Sequence, residues 1–275
     1  MITCAHFDYG SVFFRGQTAN PKTLVGRSGD LQIHQKIMTI VGTNKFIHPN
    51  CNHSGNIIRA NGNYPLIQSG DAFVIGPGSD IQVGVIRTRD CVPVLGIVDD
   101  IDIPFGIHIS NITELGWGQP STDFVPISKR VLHHILREEL GANLDNCKIN
   151  IGPCIAGLIG DICDCYGYTE KTNFYHGTRL IRLIQLHHPN VDLEHLFFRR
   201  DDSDKIYFRW GEIMVRIFQS LGIKPENINT SYNYCTRCNY NKWWSTRYLQ
   251  NSPDPELNQL LNDVGPSNLS WISKS

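Results

Sequence analysis

The stretch QVGVIRTRDCVPVLGIVDDIDIPFGIH, from Gln82 to His108, contains three short apolar runs. The first two, residues 83–86 and 92–98, are rich in β-branched side chains and are separated by a polar turn. A second turn leads into the third run, which ends at His108. Short apolar runs bounded by turn residues predict buried strands rather than helices. Cys91 therefore opens one predicted strand and His108 ends its neighbour, so a hairpin can bring the thiol and the imidazole together.

The composition of the 275 residues is ordinary, with 41% hydrophobic residues and a net charge of -1. A near-neutral chain lacks the basic surface that nucleic-acid partners need, so we predict no nucleic-acid partner. The longest apolar run is far shorter than a membrane span, and the first residues lack the basic leader and apolar core of a signal peptide. Nine cysteines, an odd number in a chain too large to need disulfides, predict reduced thiols, some of them metal ligands. We therefore predict a cytoplasmic protein with no membrane partner.

Strand and helix patterns are mixed along the rest of the chain. A strand is predicted at residues 31–41, where it carries His34, and another at residues 71–76. Further strands are predicted at residues 56–60, 147–151 and 228–234, and helices at residues 124–141, 175–187 and 210–221. This order predicts one α+β domain over residues 1–250, followed by a loosely packed tail over residues 251–275.

Cys91 and His108 have two interpretations on spacing alone. Free cysteine is among the most buried residue types, so a buried thiol beside a core histidine is the simpler one. The other is a metal site with His34 as the third ligand. Two imidazoles and one thiolate would leave the fourth position of zinc open, as in catalytic zinc sites. Spacing does not choose between the two.

Several short segments of the chain carry a recognisable combination of residues in a fixed order. They are Leu31-Gln32-Ile33-His34, Gly70-Asp71-Ala72, Thr88-Arg89-Asp90-Cys91-Val92-Pro93-Val94-Leu95, His108, Ile151-Gly152-Pro153-Cys154-Ile155, and Cys235-Thr236 followed by Trp243-Trp244-Ser245-Thr246-Arg247. In this order they resemble the motifs of the YfiH-like family. That family is also called the laccase-domain, multicopper polyphenol oxidoreductase or peptidoglycan editing factor family. One such match would be weak, whereas several collinear matches are specific.

The resemblance implies a layered α-β-β-α sandwich with a zinc ion bound by His34, Cys91 and His108. It implies a purine nucleoside phosphorylase that acts with phosphate on inosine, guanosine, adenosine or methylthioadenosine, with adenosine deamination as a second activity. Copper would bind the same ligands, so a copper-dependent polyphenol oxidase is an alternative. Asp71 would orient a ligand histidine or contact the nucleoside, and Arg247 would bind phosphate through its planar guanidinium.

Two departures from the family pattern concern phosphate binding. The Trp-Arg-Gly segment that follows the second family histidine is absent after His108, and Arg89 replaces a small residue before Asp90. Arg89 either restores the missing positive charge or blocks the pocket. Arg15 is a second candidate phosphate ligand, from a weaker N-terminal match.

Two further hypotheses stay open for the Cys91 and His108 pair: a metal-free amidase with a cysteine nucleophile, and a zinc-stabilised binding protein without turnover. A separate hypothesis concerns the remaining thiols. Cys163, Cys165, Cys235 and Cys238 could form a four-thiolate zinc site, although the spacing of the first two is tighter than in a usual zinc knuckle.

Overall fold

The computed structural model describes residues 35, 37–39, 41–60, 68–117, 123–170, 176–240, 243, 245–253, 255 and 267–273. The strands are β1 (Phe46–Ile47), β2 (Pro49–Asn50), β3 (Ile57–Ala60), β4 (Gln68–Ser69), β5 (Ala72–Ile75), β6 (Val83–Thr88), β7 (Val92–Val98), β8 (Ile103–Ile109), β9 (Cys147–Ile151), β10 (Gly167–Thr169), β11 (Phe197–Arg199), β12 (Lys205–Phe208), β13 (Ile228–Asn229) and β14 (Asn268–Ser273). The helices are α1 (Asn111–Leu115), α2 (Ile127–Lys129, continuing as a π-helix over Arg130–Glu139), α3 (Gly177–His187), α4 (Trp210–Ser220) and α5 (Thr246–Gln250). The predicted mixture of helices and strands is confirmed.

The largest sheet has six strands in the order β13-β9-β7-β8-β5-β3. β7 pairs antiparallel with β8 and β9, β8 pairs antiparallel with β5, and β5 pairs parallel with β3. The beginnings of β3, β5 and β7 therefore lie at the same end of the sheet as the ends of β8 and β9. Pro93 is directly opposite His108 in this register, so the hairpin predicted around Cys91 and His108 is confirmed.

A second sheet, in the order β1-β6-β14, packs against the first through a buried cluster that contains Phe73, Ile86, Leu95 and Ile272. Its opposite side carries a separate buried cluster that contains Ile37. The outer face of the six-stranded sheet is covered by α2, α3 and α4, whose apolar side chains join the largest buried cluster. The alternating directions of side chains along each strand divide these clusters between the two faces.

Two predictions about the ends of the chain are wrong. Residues 31–41 were expected to form a strand, but the described part, residues 35, 37–39 and 41, is helical. Ile37, Met38 and Val41 all pack on the same cluster. This spacing fits one face of a helix, whereas adjacent residues such as Ile37 and Met38 would point to opposite faces of a strand. The prediction of a loosely packed tail is wrong for residues 268–273, which pair with β6 along its full length and bury Leu269 and Ile272.

Among the described helices, none has the length and apolar character to cross a bilayer.

Gly106 in β8 is needed for the two sheets to approach. A Cβ atom there would lie 2.3 Å from the ring of Phe73, whose side chain is fully buried. We expect Gly106→Ala to lower the free energy of unfolding by about 1–3 kcal/mol, since the ring has no space to move into. Urea unfolding of Gly106→Ala, Phe73→Leu and the double variant measures this. The double variant should lose less than the sum of the single losses; strictly additive losses would contradict the packing explanation.

Candidate metal centre and adjoining cavities

Three side chains with metal-binding atoms converge at the end of the six-stranded sheet where β3, β5 and β7 begin. They are His53, Cys91 and His108, and one ligand atom from each lies within 4.8 Å of the others. His53 Nε2 is 3.7 Å from Cys91 Sγ, and the two imidazole rings stack with centroids 5.1 Å apart and planes 2° from parallel. In a tetrahedral zinc site, bonds of about 2.0–2.3 Å place ligand atoms about 3.3–3.8 Å apart. The donor set and its spacing therefore fit zinc with one open position.

Asp71, immediately before β5, fixes the positions of both histidines. Its carboxylate is fully buried and accepts a hydrogen bond from Nδ1 of His108 at 2.9 Å. It also accepts from the backbone N–H groups of His53 at 2.9 Å and Gly55 at 2.8 Å, and from the hydroxyl of Ser54 at 3.3 Å. In its neutral form, with the proton on Nδ1, His108 would present its Nε2 lone pair to a metal ion in the cluster.

His53 has a backbone conformation that non-glycine residues rarely adopt, with φ of 61°. Such a conformation costs of order 1–3 kcal/mol and persists when the surroundings enforce it. Here the backbone N–H groups of His53 and Gly55 both donate to Asp71. Because strained positions concentrate at functional sites, the conformation supports a functional role for the His53 side chain.

The pKa values of these groups are strongly coupled. Burial would raise the pKa of Cys91, but the charge of His108 and hydrogen bonds from His108 and His53 outweigh it and lower the pKa to about 6. Burial would lower the pKa of His108, but the charge of Cys91 and hydrogen bonds to Asp71 and Cys91 raise it well above its usual value. Burial likewise opposes the lowered pKa of Asp71, which follows from its contacts with His108. The metal-free cluster is therefore a thiolate beside an imidazolium, and a thiolate is the form that binds metal.

A lowered pKa predicts how Cys91 reacts in the metal-free protein. Alkylation by iodoacetamide should rise through about pH 6 and then level off, because the thiolate is already formed above its pKa of about 6. An ordinary thiol, with a pKa of 9.0, would continue to gain reactivity up to about that pH. Peptide mapping by mass spectrometry after short labelling gives the profile for Cys91. The matched control, His53→Ala, should shift it to higher pH; an unchanged profile in that variant would contradict the hydrogen bond from His53.

A cavity of about 660 Å³ opens from the cluster and has a strongly cationic lining. His53, Cys91 and His108 contribute to it, as do three arginines: Arg87, Arg89 and Arg247. Volumes of this size are typical of small-molecule sites. The positive charge that the sequence lacks after His108 is therefore supplied by the end of β6, by the turn that follows it and by α5.

Arg87 is the most unusual of the three arginines, because its side chain is buried and incompletely hydrogen-bonded. Nη2 donates to the hydroxyl of Ser267 at 3.0 Å, but Nε and Nη1 have no hydrogen-bond partner among the described residues. Burial lowers the pKa of Arg87 to about 10, and repulsion from Arg89 adds to this shift. Buried guanidinium groups are normally paired with an anion. Arg87 therefore brings a positive charge without an anionic partner among the described residues to the wall of the cavity.

A second cavity, of about 380 Å³, lies on the other side of Cys91 and is lined mainly by aromatic and aliphatic side chains. The aromatic residues are Trp117, Tyr166, Tyr168 and Trp210. Arg247 lines both cavities, and its guanidinium lies 5.1 Å from the ring centroid of Tyr166 and 5.3 Å from that of Tyr168. The two cavities share Asp90, Cys91 and Arg247, so one ligand could extend from the aromatic side to the cationic side.

The segment after His108 begins α1. Ser110 caps this helix, accepting a hydrogen bond from the backbone of Thr113, whose hydroxyl in turn accepts from the backbone N–H of Ser110. Asn111 accepts a hydrogen bond from the hydroxyl of Tyr166 at 2.5 Å and donates to the hydroxyl of Tyr168 at 3.3 Å. The residues that depart from the family pattern therefore hold the aromatic wall of the second cavity in place.

The structure brings some of the predicted site residues together at the cluster, and others lie outside the residues that it describes. Cys91, His108, Asp71 and Arg247 all lie at or beside the cluster. His34 and Arg15 fall outside the described residues, so their proposed roles stay predictions. Sequence reasoning missed His53 and Arg87, together with Cys51, whose ligand atom lies within 4.8 Å of those of Asp71 and His108. Since Asp71 and His108 are already hydrogen-bonded to each other, the His53, Cys91 and His108 cluster is the better candidate for a metal site.

Known structures match the fold, although no family model and no curated protein matches the sequence. The hypothetical protein YfiH of Bacillus licheniformis matches with a TM-score of 0.62 at 17% identity, over 89% of this chain and 82% of that chain. YlmD from Geobacillus stearothermophilus gives 0.62 at 13% identity, over 90% and 81%. A Neisseria meningitidis DUF152 protein gives 0.57 at 15% identity, over 92% and 86%. The chain therefore has the YfiH-type mixed α/β fold that its motifs implied.

Proposed function

We propose that this chain, with its YfiH-type fold, is a zinc-dependent enzyme that cleaves purine nucleosides with phosphate. The observation that carries the proposal is the buried guanidinium of Arg87, which has unpaired donors and lines the same cavity as the His53, Cys91 and His108 cluster. A phosphate dianion in this cavity would compensate the positive charges of Arg87 and of Arg89 beside it.

The aromatic cavity is proposed to bind the purine. Tyr166 and Trp210 lie with ring centroids 5.3 Å apart, and Trp117 and Tyr168 with centroids 5.1 Å apart. Flat aromatic side chains stack on any base and contribute about 1–3 kcal/mol for each stacked base. A nucleoside with its base in this cavity would direct its ribose towards Cys91, Asp90 and Arg247, where the two cavities meet.

His53, Cys91 and His108 would hold the zinc, and His34 remains the ligand that the family resemblance alone predicts. Bound zinc supplies a Lewis acid that polarises a substrate oxygen or lowers the pKa of a bound water. Copper would bind the same donor set, so metal analysis of the purified protein distinguishes the phosphorylase from a copper-dependent polyphenol oxidase.

The chain's own residues would position the reactants. Arg87 and Arg89 would hold phosphate so that one of its oxygens faces C1′ of the ribose. The new bond joins that oxygen to C1′ as the bond from C1′ to the purine nitrogen breaks, and the base leaves with the bonding electrons and gains a proton. Asp71 would keep His108 in one tautomer, so that the cluster keeps its geometry during turnover.

Phosphorolysis is better supported than deamination. Deamination of a purine needs a carboxylate that can carry protons to and from the ring, besides the activated water. Asp71 is occupied by its four hydrogen bonds, and both carboxylate oxygens of Asp90 accept hydrogen bonds, from the hydroxyl of Thr236 at 2.8 Å and the backbone N–H of Arg247 at 2.9 Å. Neither is free to serve as that group, so we propose deamination as a secondary activity.

The test is chromatography of inosine, adenosine and methylthioadenosine after incubation with zinc-loaded protein, with and without phosphate. Free base with sugar 1-phosphate, formed when phosphate is present, is the expected result. Conversion of adenosine to inosine that is independent of phosphate would show deamination instead. No product from any nucleoside, with zinc retained, would overturn the proposal and favour a zinc-stabilised binding protein.

A metal-free amidase is a second candidate, favoured by one observation. The lowered pKa of Cys91 beside two histidines is what a cysteine nucleophile with a histidine base requires. Such an enzyme would stay active after complete removal of metal by a chelator, whereas the proposed phosphorylase would not. The eight described cysteines are all unpaired, which is consistent with the cytoplasmic location that we propose for either activity.

A further inference from the structure

A second group of thiols lies outside the site described above. The four-cysteine cluster consists of Cys163, Cys165, Cys235 and Cys238. Two of its members lie before β10 and two lie after β13, so residues about 70 positions apart in sequence meet here. The sequence left a four-thiolate zinc site at these residues as an open hypothesis, and the structure brings the four side chains together.

The spacing of the four sulfur atoms suits a tetrahedral metal ion. All four Sγ atoms lie within 4.8 Å of one another, with 3.5 Å between those of Cys163 and Cys235 and 3.3 Å between those of Cys165 and Cys238. Four thiolates at about 2.3 Å from zinc lie about 3.8 Å apart. A disulfide would need about 2.0 Å between two sulfurs, and all four thiols are free.

The close packing of the four sulfur atoms calls for a compensating charge. Four thiolates within 4.8 Å of one another would repel each other strongly unless a cation lay between them. A divalent cation at the centre would allow all four to ionise.

We infer that the four-cysteine cluster binds a structural zinc ion. Soft thiolate ligands select zinc or an iron–sulfur cluster, and one tetrahedral group of four sulfurs with no open position is the typical structural zinc site. The ion would join the loop after β9 to the loop after β13, which are otherwise connected near this point by the bridges of Cys154 with Cys235 and Ile159 with Tyr234.

The ion would also stabilise one wall of the aromatic cavity. Cys165 directly precedes Tyr166, and the carbonyl oxygen of Cys165 accepts a hydrogen bond from Nη1 of Arg247 at 3.4 Å. Thr236, next to Cys235, donates to Asp90. Cross-linking the two loops therefore holds residues that line both cavities, without placing any cluster cysteine in the cavity described beside Cys91.

The experiment is a zinc count on the purified full-length chain by native mass spectrometry and by elemental analysis. We expect two zinc ions per chain in the wild type and one in both Cys163→Ser and Cys238→Ser. Cys238 is the most exposed member of the cluster, so its replacement disturbs the core least. Cys147→Ala, which removes a buried thiol outside the cluster, is the matched control and should retain both ions.

Cobalt separates this site from the one that contains Cys91. Cobalt bound by four thiolates gives intense sulfur-to-metal charge-transfer absorption. In Cys163→Ser this absorption should fall towards that of the single Cys91 thiolate, and in Cys91→Ala most of it should persist. If the wild type holds one metal ion and Cys91→Ala holds none, the inference is wrong while the proposed function stands. It is also wrong if non-reduced protein has a mass lower by two hydrogens for each disulfide formed within the cluster. The metal count needs only the wild type and Cys91→Ala, and the disulfide mass needs only the wild type.

Discussion

Replacing Cys91 by alanine is expected to remove one bound zinc and to lower the rate of phosphorolysis at least about 10³-fold. The reason is that Cys91 supplies the thiolate of the proposed metal site, while His53 and His108 alone leave two neutral donors. Loss of an outer residue around a metal typically costs about 10–100-fold, so loss of a ligand should cost more. The measurement is kcat/KM for inosine at saturating phosphate, together with zinc content.

The matched control for this variant is Cys147→Ala, in which a buried thiol is removed far from the cluster. It should retain both the zinc content and the rate of the wild type. Cys91→Ala that keeps full activity would contradict the metal site. Cys91→Ala that loses activity but keeps every zinc ion would favour the nucleophilic role of the thiol instead.

Replacing Arg87 by methionine is expected to change activity and stability in opposite directions. KM for phosphate should rise at least about 100-fold, because a buried guanidinium that binds an anion is worth about 3 kcal/mol or more. The protein without phosphate should become more stable, since the substitution removes a buried charge with two unpaired N–H groups and leaves an apolar side chain of similar length. The measurements are phosphate kinetics and thermal unfolding in phosphate-free buffer.

Two further variants make this prediction specific. Arg59→Met removes an exposed arginine that is paired with Glu139, so neither phosphate binding nor stability should change appreciably. Arg87→Lys keeps the charge but loses the planar fork, and it should fall between the wild type and Arg87→Met in phosphate affinity. If Arg87→Met destabilises the protein and leaves KM for phosphate unchanged, Arg87 is a structural residue and the phosphate site lies elsewhere.

The elements that the sequence predicts best are those with continuous apolar patterns. β7 matches its prediction along its whole length, and the helical face of α2 is buried as its spacing requires. Cys91 and His108 meet because a hairpin with short turns leaves little freedom in register. The approach of Asp71 to His108 follows from the antiparallel pairing of β5 with β8, which no local pattern specifies.

His53 and Arg87 could not be identified as site residues from local pattern. His53 stands in a polar segment without periodicity, and it reaches the cluster because β3 pairs parallel with β5. One sequence signal could have identified His53. This histidine is followed by Ser54-Gly55 and then by a short predicted strand, close in the chain to the strand that carries Asp71. Arg87 looks like an ordinary turn residue, and its burial depends on Ser267, 180 positions away.

The pairing of β6 with β14 has a consequence for how the chain is made. Thr88 is opposite Asn268, and Val83 is opposite Ser273, so the second sheet cannot be completed until the end of β14 has left the ribosome. At about 5–20 residues per second, β6 waits roughly 10–40 s after its own synthesis for this partner. Throughout that interval an apolar strand has an unpaired edge, which is the kind of surface that joins to other chains. Nascent protein should therefore depend on chaperones more than the finished fold would indicate.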